Sequence, residues 1–288
     1  MDKNEIDALI RLLEDPDEDI FKHIKDKILS LGSEVIPVLE SAWENSFDHT
    51  MQVRIENIIH FIQYDTINKQ LTDWAKRGGE DLLAGVILVA RYQYPDLNEA
   101  KLMTHIERIK QDIWLELNNN LTALEKVRVL NHIIFDVHGF SGNTANFHAP
   151  QNSYINNVLE SKKGNPLSLS VLYAVIAQRL DVNIYGVNLP EHFILAYVED
   201  SHYLPVPAKK EEPNVLFYIN PFNRGSVFSK KEIDVFLKQL KLEPSKEYFE
   251  PCSNVDIVKR LIRNLIFSFE KLGYPDKAEE MKRLLNAL

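Results

Sequence analysis

The chain has 288 residues, 45% of them hydrophobic and 26% charged, with a formal net charge of -9 from 42 acidic against 33 basic side chains. That is globular composition with room for two or three small domains, and a surface of that sign repels phosphate backbones and anionic lipid, so neither nucleic acid nor a membrane is expected as a partner. One cysteine, Cys252, excludes an intrachain disulfide, the acidic start is not a signal peptide, and the longest apolar run, Leu82 to Ala90, is shorter than the ~20 residues of a membrane helix, so a cytoplasmic location is expected.

Residues 1–118 read as helix after helix. Ile6, Leu9, Ile10 and Leu13 repeat at helical spacing until Asp15-Pro16-Asp17 breaks the run. A second helix carries Phe21, Ile24, Ile28 and Leu31 and is stopped by Gly32, and a third opens near Val35-Ile36-Pro37 and runs to Trp43. The acidic-Pro turn, the Leu-Gly break and the Ile-Pro opening between Leu9 and Trp43 resemble one unit of a HEAT-type repeat. Val53 to Phe61 and Leu82 to Ala90 continue the helical pattern without that signature. Such a stack serves equally as a docking array or as a cap on the next domain.

Residues 119–228 change character. A helix through Val127, Leu130, Ile133 and Ile134 leads into a Gly- and Asn-rich loop and a short helix from Tyr154 to Glu160. From Pro166 to Leu180 the chain is apolar almost all round, which marks a buried central helix. Three short β-branched and aromatic segments follow, VNIYGVNL, FILAYVE and VLFYI, which read as strands. The predicted fold class is α+β, a buried central helix packed on an antiparallel sheet and flanked by helices on both sides. Residues 229–288 are helical again: Ser229 and Glu232 form a capping box, and two helices broken at Gly273-Tyr274-Pro275 resemble a tetratricopeptide-type hairpin, read as a packed appendage.

The chemistry of the middle segment lies at the start of its central helix. Pro166 suits the first helical position and Asn165 is the natural N-cap, so free N–H groups and the positive end of the dipole gather there. His192 opens one strand and Asn220 closes the next. A helix start, a histidine on a strand and an Asn or Asp ending the following strand is the order of papain-like and transglutaminase-like enzymes, in which the helix start carries a cysteine.

The residues from Leu130 to Gly225 resemble the transglutaminase-like superfamily and, within it, a bacterial branch related to the SirB1 protein. The resemblance is carried by Gly139-Phe140, Gly142-Asn143, Asn152-Ser153, Val158-Leu159, Gly164-x-Pro166-x-Ser168-Leu169-Ser170, Leu189-Pro190-x-His192-Phe193 and Asn220-Pro221-Phe222-Asn223-Arg224-Gly225. It implies that the nucleophile slot falls on Pro166, which has no reactive group, and that Asn220 stands where the family orients its histidine.

The expected function is therefore a non-catalytic transglutaminase-like module that binds a protein or peptide partner, with Asn165, Pro166, His192, Asn220, Asn223 and Arg224 as candidate ligand-binding residues. The alternative is a divergent hydrolase or acyltransferase using Ser168 or Ser170 with His192 and Asn220. Each carries a structural reading too: the serines can bond to an earlier turn of a buried helix, His192 can be satisfied by backbone, and Asn223 and Arg224 can lock their turn. Cys252 falls outside the family order and reads as a small apolar filler. His138, His148 and His202 lack the paired spacing of a zinc site, Lys162-Lys163-Gly164 lacks the upstream glycine of a phosphate loop, and neither metal nor cofactor is expected.

Overall fold

The computed structural model describes residues 3–146, 149–199 and 214–288. The chain divides into two compact units, one ending at Asp73 and one spanning Trp74–Leu288.

The first unit is built from α1 (Lys3–Arg11), α2 (Glu18–Leu29), α3 (Ile36–Asn45) and most of α4 (His49–Lys76). Their apolar stripes meet in one core through Leu13, Ile28, Leu39, Ile55 and Ile58. The acidic-Pro break works as a turn with a dedicated anchor. Asp17 caps α2 by accepting from the N–H groups of Asp19 and Ile20. Arg54 on α4 donates to the carbonyls of Leu13 (2.7 Å) and Asp15 (2.8 Å) and to Glu18 (2.9 Å), while its guanidinium lies 4.1 Å from the centroid of the Phe21 ring.

The second unit carries the helices α5 (Leu82–Gln93), α6 (Glu99–Glu116) and α7 (Ala123–Asn131), the last running on into a π-helical turn, His132–Val137. The two-residue strands β1 (Ser141–Gly142) and β2 (Lys163–Gly164) pair in parallel across α8 (Ile155–Ser161). The central helix α9 (Pro166–Gln178) is buried from Leu167 to Ala177, as its uniform apolarity requires.

Beside α9 lies a four-stranded antiparallel sheet in chain order, β3 (Ile184–Val187), β4 (Ile194–Val198), β5 (Val215–Asn220) and β6 (Ser226–Phe228). The helix packs on β3 and β4. The opposite face, with Val187, Ile194, Ala196 and Tyr218, packs on Ile233 and Leu237 of α10 (Lys230–Gln239), so β4 is covered on both sides and reads as an unbroken apolar run. The capping box at Ser229 and Glu232 opens α10.

The C-terminal helices α11 (Asn254–Leu272) and α12 (Pro275–Asn286) form a tightly packed hairpin. It is more than an appendage, because α11 also packs on α5, α9 and the turn at Pro150–Ser153, and its apolar stripe, Ile257, Leu261, Leu265 and Phe269, is buried. Among the described residues no helix is long and apolar enough to cross a membrane.

Candidate functional site

The start of α9 is closed by reciprocal hydrogen bonds. The Asn165 carboxamide oxygen accepts from the Ser168 N–H (2.8 Å), and the Ser168 hydroxyl accepts from the Asn165 N–H (3.0 Å). The Asn165 amide group in turn donates to the Ser153 hydroxyl (2.9 Å). Pro166 has no N–H, and the Leu169 N–H bonds to the Asn165 carbonyl. Helix geometry therefore leaves Leu167 with the one free backbone donor of this first turn.

The two serines of the alternative reading are consumed by this architecture. Ser168 is 2% exposed and acts as the second half of the cap. Ser170 is fully buried and donates to the Pro166 carbonyl (2.7 Å) and, more distantly, to the Phe193 carbonyl (3.4 Å), tying the foot of β4 to the helix. Among the described residues neither hydroxyl bonds to a histidine.

His192 sits at the end of a tight turn, Leu189-Pro190-Glu191-His192, closed by its own N–H donating to the Leu189 carbonyl (3.1 Å). Pro190 sets the first corner and Glu191 takes the second with a φ of 60°. The imidazole is exposed and lies against Phe236 of α10 with centroids 5.0 Å apart. It has no hydrogen-bonded partner among the described residues.

Among the described residues no hydrogen bond joins Asn220 to the imidazole. Its carboxamide oxygen accepts from the Asn223 N–H (3.3 Å), capping the turn that follows. Asn223 donates to the Ser226 hydroxyl (3.2 Å), and Arg224 forms an ion pair with Asp136 on the π-helical turn. The same turn is held to α7 by Asn131, which donates to the Gly225 carbonyl (2.8 Å). Phe222 lies on Gly142, where a Cβ would come within 2.5 Å of its ring. Much of the motif set thus joins one strand end to the loop and helix beside it.

A cleft of about 180 Å³ brings together Asn165, Pro166 and His192 of the predicted set. Asn220, Asn223 and Arg224 lie outside its lining: the first two bond within their own turn, and Arg224 pairs with Asp136. The far wall is α11, which presents Arg260, Asn264, Phe267 and Ser268, a stripe at helical spacing that the sequence reading did not single out. The rim includes Glu191. Arg260 is partly buried and makes neither an ion pair nor a hydrogen bond within the described residues. Burial and then the neighbouring Arg263 lower its pKa from the ordinary value.

The remaining sequence candidates lie elsewhere. Cys252 lines a different surface hollow near the edge strand β3, and burial, with Asp256 second, pushes its thiol up to about 12, the reverse of an activated nucleophile. His138 is bonded to Asp112 (2.8 Å). Lys162 lies over the Phe140 ring and Lys163 donates to Ser141 (2.7 Å). His148 and His202 lie outside the described residues. Among the described residues no group of three or more His, Cys, Asp and Glu side chains is placed to hold a metal.

The start of α9 and His192, in the turn just before β4, line one cleft beside an antiparallel sheet. The chain belongs to the transglutaminase-like superfamily, whose family model matches residues 100–263. It is similar to a UPF0162 protein of Xylella fastidiosa, 30% identical over 152 residues, 53% of this chain and 50% of that protein. It is also similar to the UPF0162 protein YchA of Escherichia coli K12, 24% identical over 189 residues, 64% of this chain and 65% of that one. Human F-box only protein 21 is 25% identical over 156 residues, 54% of this chain and 23% of that protein. The chain thus spans about half the length of the Xylella relative. No solved structure matches.

Proposed function

We propose that this chain is a binding module whose cleft, the remnant of a cysteine-enzyme active site, takes a peptide or a segment of a protein partner without chemistry. The observation that carries this reading is the pairing of Pro166, which has no nucleophile, with an imidazole that has no hydroxyl, thiol or carboxamide bonded to it among the described residues. Ser168 and Ser170 supply no substitute, since each hydroxyl is buried and bonded into the frame of α9. In the same proposal the chain falls in the SirB1-related branch, residues 1–118 are HEAT-like helices, 119–228 the transglutaminase-like core and 229–288 a tetratricopeptide-like hairpin, and the protein acts in the cytoplasm.

The test combines activity and binding. A fluorophosphonate probe is expected to leave the chain unlabelled. Peptides selected from a random display library on the unmodified chain should bind His192→Ala about tenfold more weakly, or worse, while its melting temperature stays within a few degrees. Labelling abolished by replacing a cleft serine, or an unfolded His192→Ala chain whose folded fraction binds normally, refutes the proposal.

A further inference from the structure

The cleft contains a positive charge that no described residue pairs with. A partly buried guanidinium is ordinarily paired, because desolvating a charge without a partner is costly. Arg260 lines the cleft without an ion pair or hydrogen bond in the described structure, and Arg263, one turn along, adds charge of the same sign. It is not alone in lacking a partner: the His192 ring, the Asn264 carboxamide and the Ser268 hydroxyl also have none among the described residues. The Leu167 N–H, the one uncapped donor at the start of α9, belongs to another residue of the lining. By contrast, Asn165, Ser168 and Ser170, within three residues of Leu167, are each hydrogen-bonded within the protein. Arg260, His192, Asn264, Ser268 and the Leu167 N–H thus all belong to the lining of one cavity, although buried polar atoms without a partner also occur elsewhere, at Asn68, Tyr154, Asn156 and Asn188.

Resting on the reading of this cleft as a peptide site, we infer that it recognises the free C-terminal carboxylate of a peptide, held by the guanidinium of Arg260. The fork of an arginine matches both oxygens of a carboxylate, and a helix N-terminus favours the same charge. Asn264, one turn along α11, has a donor and an acceptor to offer the last peptide group. Phe193 and Phe267 supply an apolar wall for the final side chain. The cavity, about 180 Å³, is below the 300 Å³ or more of a drug-sized ligand site and suits a single terminal residue. Glu191 at the rim, on a chain of net charge -9, counts against a run of acidic side chains.

The test uses the full chain and defined probes. Nitrogen-15 spectra of the Arg Nε–H groups, with Arg260 assigned by its loss in Arg260→Lys, are followed during titration with N-acetyl-alanine, its C-terminal amide and inorganic phosphate, and then with N-acetylated tripeptides as free acids and as amides. The free acids should shift the Arg260 signal saturably, and the amides should bind at least about tenfold more weakly. Arg260→Met should lose binding by a similar factor, whereas Arg263→Met should retain it. Equal binding of acid and amide tripeptides overturns the inference and leaves the peptide cleft standing. Binding of N-acetyl-alanine but of no tripeptide overturns the inference together with the peptide reading, leaving a site for small carboxylates only. Phosphate binding as well as the acids makes this a general anion site and overturns the inference, as does a silent Arg260 signal throughout. The acid–amide comparison is made on the unmodified chain, so it stands even if Arg260→Met fails to fold.

Discussion

Ser168 shows how one residue carries two incompatible meanings until its partners are known. In the sequence it is a serine two places beyond an expected nucleophile; in the fold it is the third residue of a capping box, with its hydroxyl accepting from the Asn165 N–H. The N-cap itself was legible, since Asn before Pro at the start of an apolar run has few other meanings. The hydroxyl's role was not, because the same serine can face a cleft or turn back on its own helix, and spacing does not distinguish these. Replacement of Ser168 by Ala leaves a buried N–H unpaired and removes a cap bond, so unfolding in denaturant should show a loss of about 1–2 kcal/mol. The same change should leave the binding of cleft peptides unchanged within error, which a titration alongside the melt would check.

At the scale of elements, the strands and helices were readable from apolar period, but the joints between them were not. The buried α9, the β-rich segments and the capping box of α10 follow from local pattern alone. The two-residue strands β1 and β2 are too short to leave a pattern, and β6 is only three residues long. The ion pair from Arg224 to Asp136 spans 88 positions in sequence, a separation no window detects. Gly225 marks such a joint. Its φ is +70°, and a Cβ there would fall 1.9 Å from the Asn131 carboxamide oxygen, where Asn131 also accepts from the Tyr173 hydroxyl (3.0 Å). Gly225→Ala should therefore cost about 2 kcal/mol or more, measured by chemical denaturation. Helix α11 teaches the complementary lesson: its buried stripe announced an amphipathic helix, while Arg260, Asn264 and Ser268 looked like ordinary polar positions until the cleft was seen to lie beside them.

At the scale of the molecule, the presence of helices before, within and after a small sheet was evident, whereas the end of the first compact unit was not. That end falls inside the 28-residue helix α4, so no glycine, proline or polar linker marks it. Arg54 is the clearest single support of the first unit, reaching two carbonyls, a carboxylate and a ring from one side chain. Arg54→Met should destabilise that unit by about 2–3 kcal/mol. Hydrogen exchange should show the loss in the amides of α1 to α3, and undiminished protection there would count against this assignment.

Helix α11 holds the core with one edge and lines the cleft with the other. Any molecule seated against the cleft edge must therefore also restrain the core edge, since both belong to one rigid rod. Occupancy is written into the heat resistance of the whole Trp74–Leu288 body, in proportion to the logarithm of free ligand over its dissociation constant. A simple melting screen thus becomes a way to find the natural occupant before its chemistry is known.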